Sequence, residues 1–146
     1  MNPHDLLAAD HQSLRSQASA LKAAVEKGPK QLSEALAAFQ KSVRIHFKHE
    51  DIYYRVLDDA KRVPDRGLIH ALRNDHAAVV FTLESLAIRL RKNGVNPDWR
   101  GRFDNLMAVF LPHLDTEETS LFSIGKKMLT PEELAAITRQ IDACGE

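Results

Sequence analysis

Cysteine is nearly missing from this chain of 146 residues: Cys144 is the only one, so no internal disulfide can form. That suits a reducing compartment. An excess of charge of either sign is also missing, because 20 Lys and Arg residues balance 20 Asp and Glu. Without a net field, neither nucleic acid nor an anionic membrane is an expected partner. No apolar run is long enough to cross a bilayer. The first residues, Met1-Asn2-Pro3-His4-Asp5, lack a basic segment followed by an apolar stretch, so a cytoplasmic protein is expected. Strand-like alternation, low-complexity sequence and an interdomain linker are absent too. What remains is one domain over residues 1–146, long enough to bury a core of its own.

The apolar pattern is helical throughout. A first helix is expected from Pro3, capped by Asn2, with Leu7, Leu14, Ala18, Leu21 and Val25 on one stripe and Gly28-Pro29 ending it. A second carries Leu32, Leu36, Phe39, Val43, Tyr53 and Leu57. Asp59 to Gly67, with Pro64, reads as a turn, and a third helix follows with Ile69, Leu72, Val79, Leu83, Leu86 and Leu90. Asn93 to Pro97 breaks the pattern. Asp98 is the expected cap of a fourth helix bearing Phe103, Leu106, Phe110, Leu121 and Ile124, in which Pro112 should produce a kink before His113. Thr130-Pro131-Glu132-Glu133 combines a cap, a first-turn proline and a capping-box acid, starting a short fifth helix over about 131–143 with Leu134, Ile137 and Ile141. The fold expected is all-α, an up-down-up-down four-helix bundle over about 4–127 with a short C-terminal helix.

Six residues on these stripes are not apolar: His11, His46, Glu50, His76, His113 and Glu117. His46-x3-Glu50 and His113-x3-Glu117 place each pair on one helix face. A plain bundle explains the leucines but not these six, since glutamate is almost never buried without a partner. In a bundle with short loops, residues at one height mirror each other about the intervening loop. The midpoint of His11 and His46 falls between Gly28 and Pro29. That of Lys48, centre of the second pair, and His76 falls at Arg62. That of His76 and Asp115, centre of the last pair, falls between Val95 and Asn96. All six therefore belong to one layer. Imidazole and carboxylate suit iron, zinc or manganese. Four histidines and two acids arriving from opposite sides suit two ions better than one, each held by two histidines, with Glu50 and Glu117 bridging.

With Asp10-His11, His46-Phe47 and Glu50, His76, and His113 with Glu117-Glu118, the chain resembles the hemerythrin-like, or HHE cation-binding, family over roughly residues 4–127. The resemblance implies two iron ions joined by an oxo or hydroxo bridge, with zinc or manganese as alternatives. It implies a non-heme di-iron protein that binds or turns over a small ligand such as dioxygen, hydrogen peroxide or nitric oxide, in oxidative or nitrosative stress. An oxygen or redox sensor, and an iron store or donor for iron–sulfur repair, are the alternative functions. Counting bonds, six residues and a bridge leave two octahedral ions short of full coordination. Oxygen-carrying relatives use a fifth histidine four residues after the third-helix ligand, where this chain has Val80, and a His-x4-Asp on the last helix, where it has His113-x3-Glu117. Reversible carriage is therefore less expected than a peroxide- or nitric-oxide-consuming enzyme.

Tyr54 continues the row of His46 and Glu50, whereas the matching fourth-helix residue is Leu121. Tyr54 is thus a candidate seventh ligand as a phenolate, with Tyr53 expected in the core. His49, His4 and His70 are expected outside the ligand set. Asp10 and Asp75 should cap, pair with a cation or bond across an interface. Lys48, Arg55, Lys61, Arg62 and Arg66, and the group Arg89, Arg91, Lys92, Arg100 and Arg102, read as solvated faces. Cys144 is expected at a frayed end, and the chain as a monomer or weak homodimer.

Overall fold

The computed structural model describes residues 2–60 and 66–144. Its helices are α1 (Pro3–Ala24), α2 (Pro29–Ala60), α3 (Arg66–Asn93) and α4 (Pro97–Thr116), then a π-helical turn (Glu117–Leu121), α5 (Phe122–Met128) and α6 (Pro131–Cys144). The fourth rod is α4, the π turn and α5 in succession. Consecutive rods pack side by side as an up-down-up-down bundle, and α6 lies across α2 and α1. The described residues contain no strand. Nor do they contain a helix long and apolar enough to cross a membrane.

Helix ends follow local chemistry. The Asn2 side chain accepts the His4 backbone N–H at 2.8 Å. The first loop closes through Gly28 at φ 108°, a left-handed conformation that suits glycine, and Pro29 opens α2 rather than merely ending α1. The expected turn around Pro64, and the midpoint at Arg62, fall within 61–65, outside the described residues. The third loop contains Gly94 at φ 67°. The cap of α4 is Asn96, not Asp98: Asn96 Oδ1 accepts from Trp99 N at 2.8 Å, because Pro97 occupies the first helical position and Asp98 already lies in the first turn. Asp98 instead pairs with Arg89 and Arg102. At α6, Thr130 and Glu133 form the expected reciprocal capping box.

The apolar stripes bury as spaced, each fully buried Leu or Phe stabilising the fold by about 1.5–3 kcal/mol. The fourth rod departs from its pattern. Pro112 lies inside α4, and the departure from α-helical bonding comes about one turn later, where the Phe122 N–H reaches the Glu117 carbonyl. This extra residue in the turn brings Phe122 and Gly125 inward and leaves Ile124, the expected core position, only partly buried.

The buried apolar residues form two clusters. One contains Leu14, Phe47, Val79 and Leu114. The other contains Leu7, Ile52, Leu72 and Leu121. On every rod the polar stripe residues lie between a member of one cluster and a member of the other. The six-residue layer therefore divides the core in two.

Candidate metal centre

Each of the six polar stripe residues is buried, His76 at 7 % exposure and the other five at 2 % or less. They converge from all four rods. His11, His46, Glu50 and Glu117 form one group able to hold a metal ion, and Glu50, His76, His113 and Glu117 form a second. Both groups contain both carboxylates. His11 Nε2 lies 3.2 Å from Glu50 Oε2 and 3.3 Å from Glu117 Oε1. His46 Nε2 lies 3.1 Å from Glu50 Oε2. Across the layer, His76 Nε2 is 2.9 Å from Glu50 Oε1, and His113 Nε2 is 3.2 Å from Glu117 Oε1. Every histidine turns Nε2 inward.

The opposite ring nitrogen is tied down in three of the four. His46 Nδ1 lies 2.9 Å from Asp10 Oδ2, His113 Nδ1 lies 3.1 Å from Asp75 Oδ2, and His11 Nδ1 lies 2.7 Å from Glu118 Oε2. Arg15 secures Glu118 at 2.7 Å. An Nδ1–H donated to a carboxylate fixes the tautomer and leaves the Nε2 lone pair facing the centre. Asp10 and Asp75 thus take the interface role among those open to them. Each sits one residue before a histidine on its own helix and bonds to a histidine of the next. Asp10 also accepts from His49 at 3.0 Å, which places His49 outside the layer.

The charges confirm how crowded this interior is. Burial alone would lower the histidine pKa values. The surrounding carboxylates outweigh it, so that hydrogen bonds and charge from Glu117 and Glu50 raise His11 to about 10. Glu50 and Asp10 raise His46 to about 9, and Glu117 and Glu50 raise His76 to about 9. His113 also rises, against burial, through Glu117, Glu50 and Asp75. Burial pushes both acids up, but the histidines hold Glu50 well below the usual carboxylate range and lower Glu117 despite repulsion from Glu50. The carboxylates thus keep protons on the imidazoles above the usual histidine range.

That arrangement is incomplete. His46 Nε2, Glu50 Oε1 and Glu117 Oε1 are buried and, although each has a neighbour within 3.2 Å across the layer, none makes a well-directed hydrogen bond, an uncommon state for buried polar atoms. His76 Nε2 and His113 Nε2 face each other at 3.1 Å. Inward Nε2 atoms and carboxylate oxygens converging on one centre are a donor set for cations that displace the imidazole protons, and the residues fit a pair of metal ions sharing two carboxylates.

Tyr54 is fully buried. Its hydroxyl donates to Glu117 Oε2 at 2.5 Å and lies 3.5 Å from His76 Nε2. Burial, with the negative charge of Glu50 and Glu117, pushes its pKa up. Its counterpart on the fourth rod is Phe122 rather than Leu121, because the π turn lengthens the step from Glu117 by one residue. Tyr54 packs against His76 with ring centroids 5.3 Å apart, and Phe122 stacks on His11 at 5.8 Å. Tyr53 lies in the core as expected, its hydroxyl 2.7 Å from His4 Nε2. His4 is buried beside Phe122 and close to Lys126; burial and that cation lower it to about 4.

Outside the layer, Arg66 and Arg73 pair with Asp58, and Arg100 with Glu26. The expected charged faces are in this measure internally neutralised, while Lys61 and Arg62 lie outside the described residues. Cys144 is exposed at the end of α6.

No curated protein and no solved structure matches the chain. Residues 2–124 match the Hemerythrin HHE cation binding domain, and the chain belongs to that family.

Proposed function

We propose that this protein is a non-heme di-iron protein that binds or turns over a small ligand, hydrogen peroxide, nitric oxide or dioxygen, in oxidative or nitrosative stress. The observation that carries this reading is the pair of overlapping donor groups that share Glu50 and Glu117. His11 and His46 would hold one iron, His76 and His113 the other, and the two glutamates would bridge them. Bound there, an iron pair supplies redox chemistry and open coordination positions. The chain supplies the rest. Asp10, Asp75 and Glu118 hold imidazoles in the coordinating tautomer. The two apolar clusters exclude water and keep the local dielectric low. Tyr54 holds a proton against Glu117 with its hydroxyl 3.5 Å from His76 Nε2, and is the candidate seventh ligand.

The burial of all six residues favours a small-ligand site over an iron store, because release to an acceptor needs an open path. Metal analysis with an optical spectrum tests the reading first: two irons per chain and an oxo-bridge absorption are expected, and colourless protein holding zinc would overturn it. Stopped-flow mixing with oxygen, peroxide and nitric oxide then separates turnover from sensing, in which the spectrum changes without consumption of the ligand.

A further inference from the structure

The two halves of the metal layer are not equivalent. At the His11–His46 half, both Nδ1 atoms are tied to carboxylates. At the other half, His113 is tied to Asp75, but His76 has no carboxylate on Nδ1 among the described residues. His76 is also the most exposed of the six, at 7 %. It lies beside a surface groove of about 500 Å³ between α2 and α3, lined by Phe47, Asp51, His76, Ala77, Val80 and Phe81 among others. Phe47 stacks flat on the His76 imidazole, centroids 3.8 Å apart and planes 8° from parallel. Phe81, 72 % exposed, forms the outer wall. The His11–His46 half borders a smaller recess of about 130 Å³, where Asp10 bonds to His46 beside Ser13 and Ser42.

We propose that this groove is the access route for small uncharged ligands, which reach the metal layer from its His76 side, past Ala77 and Phe47. The chemistry of the walls selects the class. Phe47, Ala77, Val80 and Phe81 offer apolar surface, which suits a diatomic such as nitric oxide or dioxygen. The charged lining groups are Asp51, Glu84 and Arg73, and two of them are already paired, Arg73 with Asp58 at 2.8 Å and Glu84 with Arg44 at 3.7 Å. Asp51 is the lining charge left without an ion pair among the described residues, so the mouth is weakly acidic and disfavours anions. The inference rests on the two-metal reading above.

Ala77 is exposed on α3, so Ala77→Phe fills the groove without disturbing the core. Ser42→Phe fills the opposite recess. Each variant is reconstituted with iron, its metal content is measured, and nitric oxide association and equilibrium affinity are followed optically. With two irons per chain throughout, Ala77→Phe should slow association about tenfold or more at nearly unchanged affinity, as a narrowed gate does. Ser42→Phe should leave the rate within about twofold. Slowing by Ser42→Phe alone, or by neither variant, overturns the route while leaving the two-metal reading intact. Wild-type protein that takes up no iron sinks that reading and the route with it.

Discussion

The hydroxyl of Tyr54 on α2 donates to Glu117 of the fourth rod at 2.5 Å, linking the one buried phenol beside the layer to a carboxylate common to both donor groups. If the phenol also ligates iron, the loaded protein should carry a purple or blue visible band that Tyr54→Phe abolishes. An unchanged spectrum would leave Tyr54 as a hydrogen-bond donor only. In metal-free protein the variant strands a charged acceptor, and an unfolding titration should show a loss of about 1.5–3 kcal/mol.

Asp10 and Asp75 are expected to act through the histidines they orient. Asp10→Ala should weaken metal binding at the His11–His46 half, and Asp75→Ala at the other, each by about 10–100-fold. Competition with a graded chelator resolves this: one of the two metals should leave early in each variant. Wild-type retention in both would show that imidazole orientation is set by packing alone.

Metal-free protein should lose stability as pH rises. His11, His46 and His76 are raised from 6.5 to about 10, 9 and 9 in the folded state, so folding is favoured by bound protons. That contribution is complete below pH 6.5 and disappears as pH climbs through 9 to 10. Glu50 and Glu117 are lowered, and their contribution is lost instead as pH falls below the ordinary carboxylate range. The Tm of chelator-treated protein should therefore decline from pH 6.5 towards 10, while the metal-loaded form stays nearly flat over that interval. A rising apo Tm would contradict the proton-held layer.

Gly125 is needed for clearance. A Cβ there would sit 1.7 Å from the Tyr53 hydroxyl and 2.8 Å from Cζ. Gly125→Ala must push Tyr53 away from His4, at a cost of about 1–3 kcal/mol. Adding Tyr53→Phe should recover part of the loss in thermal unfolding, because the nearest clashing atom is gone. Additive losses in the double variant would refute the contact.

How far the sequence alone carried the site depends on which residues share a stripe. His11, His46, Glu50, His76, His113 and Glu117 were legible because they interrupt leucine stripes at helical spacing, and their common height followed from the loops. Asp10 and Asp75 were harder to place. A residue adjacent to a ligand diverges from it by about 100° around a helix, and only the neighbouring rod shows that it meets another histidine. Their signal was the repeated Asp-His dipeptide. The π turn left no trace in periodicity, since Leu121 and Phe122 are both apolar and either could continue the stripe. That is why periodicity places Ile124 inside and Leu121 opposite Tyr54, whereas the π turn leaves Ile124 only partly buried and brings Phe122 inward.

The division of the core by the polar layer has a consequence for cooperativity. Leu14 and Phe47 lie in one apolar cluster, Leu7 and Ile52 in the other, so burial alone gives each half its own reason to collapse. The seam between them is joined chiefly by protonated imidazoles and carboxylates, and by metal once it binds. Metal-loaded protein should melt as one unit, with calorimetric and van't Hoff enthalpies in agreement. Stripped of metal at alkaline pH, the two halves should part company and melt separately.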